Sequence, residues 1–265
     1  AVRNRGIKEA NSEFLAFLDG DDMWAPTKLE RHLEEFGHRP EAAVTYSLSK
    51  MMDSDGNEVG FVVPHRSAPL SYPELVLENH LRNGSAAVIR SSIFEQVGLF
   101  DLTLPASGDL DMWLRISALG SGKIHCIAEC LTLYRRRSGQ ATGDWRRMEA
   151  AWQLVLGKAR ARTPELMRKL EPRANSDKYF YFAYLAYENG NYNLAMRLLR
   201  KSCAFSPRAF LFRLRPWLLT AACLVGRLLP PAVHRAVVDC GLVCVRAASR
   251  LVLSSYSRPS AGEVA

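Results

Sequence analysis

Three carboxylates and a glycine close a short apolar run: Phe14-Leu15-Ala16-Phe17-Leu18 leads directly into Asp19-Gly20-Asp21-Asp22. The run is too short for an ordinary helix and is bounded by turn residues, so it reads as a buried strand. Side chains alternate along a strand, and on that geometry Asp19 and Asp21 leave its end on the same side. Two converging carboxylates repel unless something positive lies between them. A hard divalent cation, Mg2+ or Mn2+, satisfies both and keeps positions open for phosphate oxygens. Gly20 removes a side chain where a ligand would approach the backbone. Taken alone, the tetrad is also what a polar turn before a helix looks like. A second acidic pair, Asp109 and Asp111, opens a segment with helical spacing, where the helix dipole by itself favours carboxylates.

The elements that must position these groups alternate in type. Val2 to Asn11 has a modest helical stripe. Pro26 suits the first turn of a helix running to Phe36, with Leu29, Leu33 and Phe36 inward. Ala42 to Tyr46 and Gly60 to Val63 read as strands around the Asp53-Ser54-Asp55-Gly56-Asn57 turn. A short helix over Pro73 to His80, a strand over Ser85 to Arg90 and a helical turn over Ser92 to Val97 follow. The Asp109 segment turns Leu110, Trp113, Leu114 and Leu119 inward, and Ile124 to Tyr134 closes the series as a strand pair or one kinked strand. Such alternation with antiparallel additions suits an α/β domain with a mixed sheet.

Bulk properties bound the partners. With 265 residues, 48% hydrophobic and 23% charged, the chain is globular and holds one large or two small domains. Its net +8 is unevenly spread: residues 1–135 carry 13 Lys/Arg against 19 Asp/Glu, and residues 136–265 carry 22 against 8. The basic back half suits phosphates or anionic lipid; it holds no aromatic-basic motif for nucleic acid, which is not expected as a partner. Cys126, Cys130, Cys203, Cys223, Cys240 and Cys244 form no C-x-x-C pair and have no histidines at zinc-site spacing, so reduced thiols in the cytoplasm are expected.

Five segments carry a resemblance. Residues 3–6 (RNRG), 17–24 (FLDGDDMW), 98–101 (GLFD), 108–115 (GDLDMWLR) and 134–140 (YRRRSGQ) stand in the order and spacing of family 2 glycosyltransferases. The resemblance implies a GT-A-like, doubly wound mixed sheet over residues 1–140 and a nucleotide-diphospho-sugar donor. It also implies that the first strands, which carry the base pocket, lie before Ala1, so the N-terminal part of the fold is expected to be missing. Arg3, Asn4, Asp19, Gly20, Asp21 and Asp22 are then donor-binding, with Asp19 and Asp21 facing a divalent metal and Arg137 facing the diphosphate. Asp109 falls where the family has its catalytic base, which takes the proton of an attacking acceptor hydroxyl. Trp113 is expected in the core. Two positions depart from the family pattern: Gly108 stands where it usually has Glu, and Arg137 where a histidine is common.

Residues 141–256 read as an α-helical C-terminal region, with 257–265 a tail. Trp145 to Arg160 has an apolar stripe of Met148, Ala151, Trp152 and Val155. Tyr179 to Pro207 resembles one tetratricopeptide-like hairpin. Trp217–Leu229 and Ala232–Leu253 are apolar but interrupted by Arg227, Arg235, Asp239, Arg246 and Arg250, short of a membrane span. They suit amphipathic helices on an anionic inner-membrane surface or a helical bundle. The expected function is an inverting transfer of a sugar to a hydroxyl of a surface-glycan or lipid-linked acceptor. The alternative is a non-catalytic scaffold with a degenerate transferase domain and a basic interaction tail.

Overall fold

The computed structural model describes residues 2–60, 68–120, 122–135 and 144–229. Arg137, Phe61 to Val63, Cys240, Cys244, the Ala232–Leu253 segment and the tail lie outside the described residues. In chain order the elements are α1 (Val2–Glu9), β1 (Phe14–Ala16), β2 (Met23–Trp24), α2 (Lys28–His38), β3 (Val44–Met52), β4 (Glu58–Gly60), α3 (Tyr72–Leu77), β5 (Ala87–Arg90), α4 (Ile93–Val97), α5 (Gly108–Ser117) and β6 (Ile124–Arg135). Five helices follow: α6 (Trp145–Arg162), α7 (Pro164–Glu188), α8 (Tyr192–Phe205), α9 (Pro207–Leu211) and α10 (Leu214–Leu228).

The strands form one mixed sheet in the order β1-β5-β3-β6-β2, with β4 paired to β3. Only β3 and β6 run parallel; the other pairings are antiparallel. Alternation along β5 sorts its two faces. Val88 meets Phe36 of α2 on one side, whereas Ala87 and Ile89 join the cluster of Leu75, Leu110, Trp113 and Leu114 from α3 and α5 on the other. Helices therefore cover both faces, and the expected α/β mixed sheet followed by helices is what the chain forms. Trp113 is fully buried, as expected of a core residue.

Several expectations need correcting. The strand starting near Ala42 runs on to Met52, because pairing with β6 continues through register shifts at Ser47, Leu48 and Ser49. Gly84–Ala86 is a 3-10 turn, and the strand begins only at Ala87. Leu119 is exposed, two residues past the end of α5. The face of α2 is also different: Leu29 and Leu33 are each 50% exposed, while Lys28, His32 and Phe36 are buried. The reason is polar. Lys28 Nζ donates to Ser47 Oγ (3.1 Å), the Ala86 carbonyl (3.0 Å) and Thr132 Oγ1 (3.1 Å), and His32 Nδ1 lies 2.7 Å from Thr45 Oγ1. That network rotates α2 onto the hydroxyls of β3 and β6, against its hydrophobic pattern.

The helical region is not packed apart from the sheet. Trp152, Val155, Leu156 and Ala159 of α6 and Met167 and Ala174 of α7 share one hydrophobic cluster with Val44, Leu75 and Trp113. A second cluster joins Phe182, Ala183 and Ala186 of α7 to Ala195, Leu198 and Leu199 of α8 and Leu219 and Cys223 of α10. The turn of the α7–α8 hairpin uses Gly190 at φ +71°, a left-handed conformation that glycine adopts without steric cost.

Candidate functional site

β1 ends at Ala16, three residues before the first carboxylate, and strand alternation does not carry through the acidic tetrad. Asp22 N–H donates to the Asp19 carbonyl at 2.9 Å, closing a turn over Asp19-Gly20-Asp21-Asp22. Aspartate and glycine favour such turns, and here the local preference wins over strand extension. The four residues consequently separate into different environments.

Asp22 is buried and structural. Its Oδ2 accepts from Ser85 Oγ at 2.6 Å and its Oδ1 from the Arg135 N–H at 3.0 Å. Burial nevertheless pushes its carboxyl above the usual range, with the Ser85 and Arg135 bonds opposing that shift. Ser85 Oγ also accepts from the Asp19 N–H at 3.0 Å, and its carbonyl accepts from Trp24 Nε1 at 2.9 Å. Arg135 holds the other side: Nε donates to the Asp21 carbonyl at 2.9 Å, and Nη1 donates to the carbonyls of Asp53 (3.1 Å) and Ser54 (2.8 Å). Ser85, in the 3-10 turn before β5, and Arg135, at the end of β6, thus clamp the turn. Sequence reading missed both; Arg135, two residues before the Arg137 it favoured, carried the signal in the same arginine run.

Asp19 is partly exposed and paired with Arg3, whose Nη2 donates to Asp19 Oδ1. The Arg3 guanidinium also sits 5.7 Å from the centroid of the Phe100 ring and lies hard against Gly84, where a Cβ would come within 2.9 Å of Nη2. Asn4 does something else. Its Nδ2 donates to the Phe100 carbonyl at 2.8 Å and its Oδ1 accepts from the Phe100 N–H at 3.0 Å. Asn4 therefore fixes the Gly98–Asp101 turn to α1. The same turn is held from α5 by Arg115, which donates to the carbonyls of Val97, Gly98 (3.3 Å) and Leu99 (3.0 Å) while Nε pairs with buried Asp111 at 2.9 Å. Gly98, at φ +73° and ψ −175°, takes a conformation essentially open to glycine alone. The two acids of α5 therefore have separate uses.

Asp109 stays partly exposed. It is half-buried in the first turn of α5, and Asn79 Nδ2 donates to its Oδ2 at 3.3 Å. Loss of hydration pushes its carboxyl above the usual range; the Leu110 amide, Arg3, Asn79 and Lys178 act in the opposite direction. Ser107, two residues before it, is held at φ +56°, one of two non-glycine left-handed residues among those described; the other, Arg82, precedes Asn83 and is two residues from Gly84. Gly108 and Gly20 each have nothing within 4 Å of where a Cβ would stand.

The structure therefore joins Arg3, Asp19, Gly84 and Asp109 in one neighbourhood, turns Asp22 and Asn4 inward as supports, and places Asp21 beside them in the turn. Among the described residues no three His, Cys, Asp or Glu side chains form a metal cluster. With Asp19 paired to Arg3 and Asp22 closed off, the donor set does not make a protein-only cage. It fits a cation held by one or two carboxylates and completed by phosphate oxygens, the mode Mg2+ favours.

The family model described as "Glycosyltransferase like family 2" matches residues 1–133. An uncharacterized glycosyltransferase of Rickettsia typhi is 24% identical over 227 residues, covering 81% of this chain and 70% of that protein. TuaG of Bacillus subtilis, named a putative teichuronic acid biosynthesis glycosyltransferase, is 27% identical over 153 residues, covering 57% of this chain and 58% of that one. A Rickettsia conorii relative matches 43% of this chain, which spans only 19% of that protein. Among solved structures, Staphylococcus aureus TarS (residues 1–349, with UDP-GlcNAc) aligns with a TM-score of 0.41 at 16% identity, covering 84% of this chain and 58% of that one. With half its length matched by the family model, the chain belongs to the family 2-like glycosyltransferases.

Proposed function

We propose that this site transfers a sugar, with inversion, from a nucleotide-diphospho-sugar to a hydroxyl of a surface-glycan or lipid-linked acceptor. The observation that carries the reading is that one arginine, Arg3, serves both acidic centres. It is bonded to Asp19 of the carboxylate turn and acts electrostatically on Asp109, 90 residues further along the chain. The name of the TuaG relative supports the surface-glycan acceptor.

In this reading Asp109 accepts the proton of the acceptor hydroxyl as its oxygen attacks the anomeric carbon. The new C–O bond forms as the bond to the diphosphate breaks, and the nucleoside diphosphate leaves with the electron pair. A carboxyl whose proton affinity is raised by lost hydration is better suited to this than a fully hydrated one. Arg3 supplies fixed positive charge at the turn, and the clamped backbone of Asp19 to Asp22 keeps the wall from rearranging. Asp19 and Asp21 are the residues that would meet a divalent cation. Such a cation, when bound, neutralises charge growing on the diphosphate.

Asp109→Asn tests the reading. Transfer or donor hydrolysis should fall by roughly 10²- to 10⁴-fold, while calorimetry with nucleoside diphosphate and Mn2+ shows binding retained. Full turnover by this variant would refute the base role. Absence of metal-dependent nucleotide binding in the unsubstituted chain would instead favour a degenerate scaffold, the reading that Gly108 favours.

A peripheral contact with anionic membrane is proposed for the α9–α10 face. Leu214, Trp217, Leu218, Leu224, Val225 and Leu228 are exposed along α10, and Arg208, Arg215 and Arg227 flank them. No acidic residue occurs between Glu188 and Asp239. Apolar side chains with a one-signed basic border suit the interface of a negatively charged bilayer. Among the described residues no helix is long and apolar enough to cross one.

A further inference from the structure

α3 is a short helix that ends beside the first turn of α5. A capping box sets its start: Glu74 Oε2 accepts from the Ser71 N–H at 2.9 Å and from Ser71 Oγ at 2.7 Å. Leu75 and Val76 then pack with Leu110 and Trp113 of α5 in one cluster, and Leu81, 1% exposed, anchors the chain again beyond the helix. Between those anchors the chain turns. The Arg82 N–H donates to the Asn79 carbonyl at 3.2 Å and to Asn79 Oδ1 at 3.3 Å, and Arg82 leaves the turn at φ +63°. Asparagine suits the first position of such a turn. The bond to the backbone also decides which way round the amide sits. Oδ1 faces the Arg82 N–H, so Nδ2 is the end left over, and it donates to Asp109 Oδ2 at 3.3 Å. Among the described residues, Asn79 is the side chain hydrogen-bonded to Asp109. Gly108, the neighbour of Asp109 in the chain, has no side chain to offer. Further along the same stretch, Asn83 Nδ2 donates to Ser49 Oγ at 3.2 Å, Gly84 borders Arg3, and Ser85 holds Asp22 and the Asp19 amide. Residues 79–85 therefore touch both acidic centres.

We propose that Asn79 is a positioning residue for the transfer: its amide fixes Oδ2 of Asp109 and leaves Oδ1 for the acceptor hydroxyl. This rests on Asp109 being the base. The last torsion of an aspartate is broad, so an unheld carboxylate turns freely between orientations. A base slightly out of place loses much of its rate. Because the stretch that carries Asn79 is pinned to the carboxylate turn through Ser85, the base is oriented from the wall that holds the donor acids. A donated hydrogen bond also favours the carboxylate over the acid. The charges around Asp109 act in the same sense. Arg3 from α1 and Lys178 from α7 are cations, and the Leu110 amide of its own helix donates as well. The nearby acids are engaged elsewhere: Asp111 with Arg115 at 2.9 Å, and Glu78 with Arg82 at 3.2 Å.

Two substitutions separate this role from a structural one. Asn79→Asp keeps an oxygen for the Arg82 N–H but replaces the donor facing Asp109 by a like charge. Asn79→Ser keeps a turn-forming oxygen, is neutral, and is too short to reach Asp109. In the full chain, nucleoside diphosphate release from a panel of uridine, guanosine and thymidine diphospho-sugars with Mn2+ is followed against pH. Both variants should lower kcat about ten- to a hundredfold with the donor KM nearly unchanged. The acid limb should move up by about one pH unit in Asn79→Asp and much less in Asn79→Ser. A merely structural Asn79 predicts instead that Asn79→Asp, which keeps the turn, is as active as the parent with its acid limb in place; that result overturns the proposal. Where Asn79→Asp lowers the unfolding midpoint, Asn79→Ser decides, and an unchanged kcat there overturns the proposal equally. A second readout needs no turnover. Aspartate carboxyls are labelled with 13C and titrated by NMR, with Asp109→Asn identifying the Asp109 signal. The Asp109 midpoint should rise by about one unit in Asn79→Asp, and an unmoved midpoint overturns the contact. Full turnover by Asp109→Asn would instead refute the base role, even where Asn79→Asp has moved the midpoint, so the two failures are distinguishable.

Discussion

The Arg3 guanidinium lies against the backbone of Gly84 so closely that a Cβ there would stand 2.9 Å from Nη2 and 3.1 Å from Cζ. The atoms in the way are the far end of a flexible side chain. Gly84→Ala should therefore fold normally and relieve the clash by displacing Arg3 from Asp19. Losing a charge-assisted hydrogen bond of roughly 1.5–3 kcal/mol predicts donor binding weaker by about ten- to a hundredfold. Calorimetry with nucleoside diphosphate and Mn2+ checks it, with thermal unfolding as the control. Unchanged affinity would show that the Arg3–Asp19 contact is not part of the donor site.

Buried Lys28 and His32 predict a stability that depends on pH. Loss of hydration lowers His32 to about 2 and Lys28 to about 7, so both prefer to be neutral in the fold. Between pH 2 and 6.5 the unfolded chain binds more protons at His32, and between about 7 and 10.5 it binds more at Lys28. Stability contributed by each group therefore rises with pH through its window, by at most about 1.4 kcal/mol per pH unit. Urea unfolding from pH 5 to 9.5 should show His32→Gln flattening the acidic side and Lys28→Met the alkaline side. Parallel curves for all three proteins would rule the assignment out.

Ser85→Ala should destabilise the carboxylate turn by about 1–3 kcal/mol, because it removes one partner of a buried carboxylate and one of the Asp19 amide. The Ser85 bond lowers the Asp22 carboxyl, which burial holds high. Without that bond the folded carboxyl rises further above its unfolded value, so the folded state favours the protonated form more strongly. The penalty of the substitution should consequently be larger at pH 7 than at pH 4. Denaturant midpoints at the two values provide the measurement, and a larger loss at pH 4 would contradict the account.

Gly108→Glu should be accepted without steric cost, since nothing lies within 4 Å of the Cβ position. It replaces glycine in the first turn of α5 by a better helix former, and its charge suits that end of the helix. A gain of about 0.5–1 kcal/mol is expected on these grounds. A falling unfolding midpoint would mean that the open space is less accessible than the contacts indicate.

The α9–α10 face should bind vesicles containing phosphatidylserine and release them near 1 M salt, where the Debye length is about 3 Å. Replacing Trp217 and Leu218 together by Glu should weaken cosedimentation. Equal binding to neutral phosphatidylcholine vesicles would argue against an electrostatic contribution. No binding at low salt would remove the membrane contact altogether.

Legibility in the sequence followed locality. α5 and the stripe of α6 were readable because period and composition agree over ten or more residues, and the family motifs from Arg3 to Arg115 were readable because their spacing is linear. α2 was misread: Leu29 and Leu33 make the better hydrophobic stripe, but the hydroxyls of Ser47, Thr45 and Thr132, brought together by the β3–β6 pairing, turned Lys28 and His32 inward instead. Ser85, Gly84 and Asn79 carry no motif at all, and nothing local marks them as partners of carboxylates distant in the chain.

The acidic run after Phe14-Leu15-Ala16-Phe17-Leu18 shows where the division lies. By itself the sequence determined the family, the mixed α/β class and the identity of the acids, because these depend on residue types and their spacing. Only the tertiary structure decided their uses. A turn closed by the Asp22 N–H set Asp19 outward to Arg3 and sealed Asp22 under Ser85 and Arg135. The shared core of α6 and α7 with the sheet carried the helical region onto the domain that holds Asp109. A carboxylate's role is fixed by its hydration and by the charges around it, and both are properties of the folded surroundings.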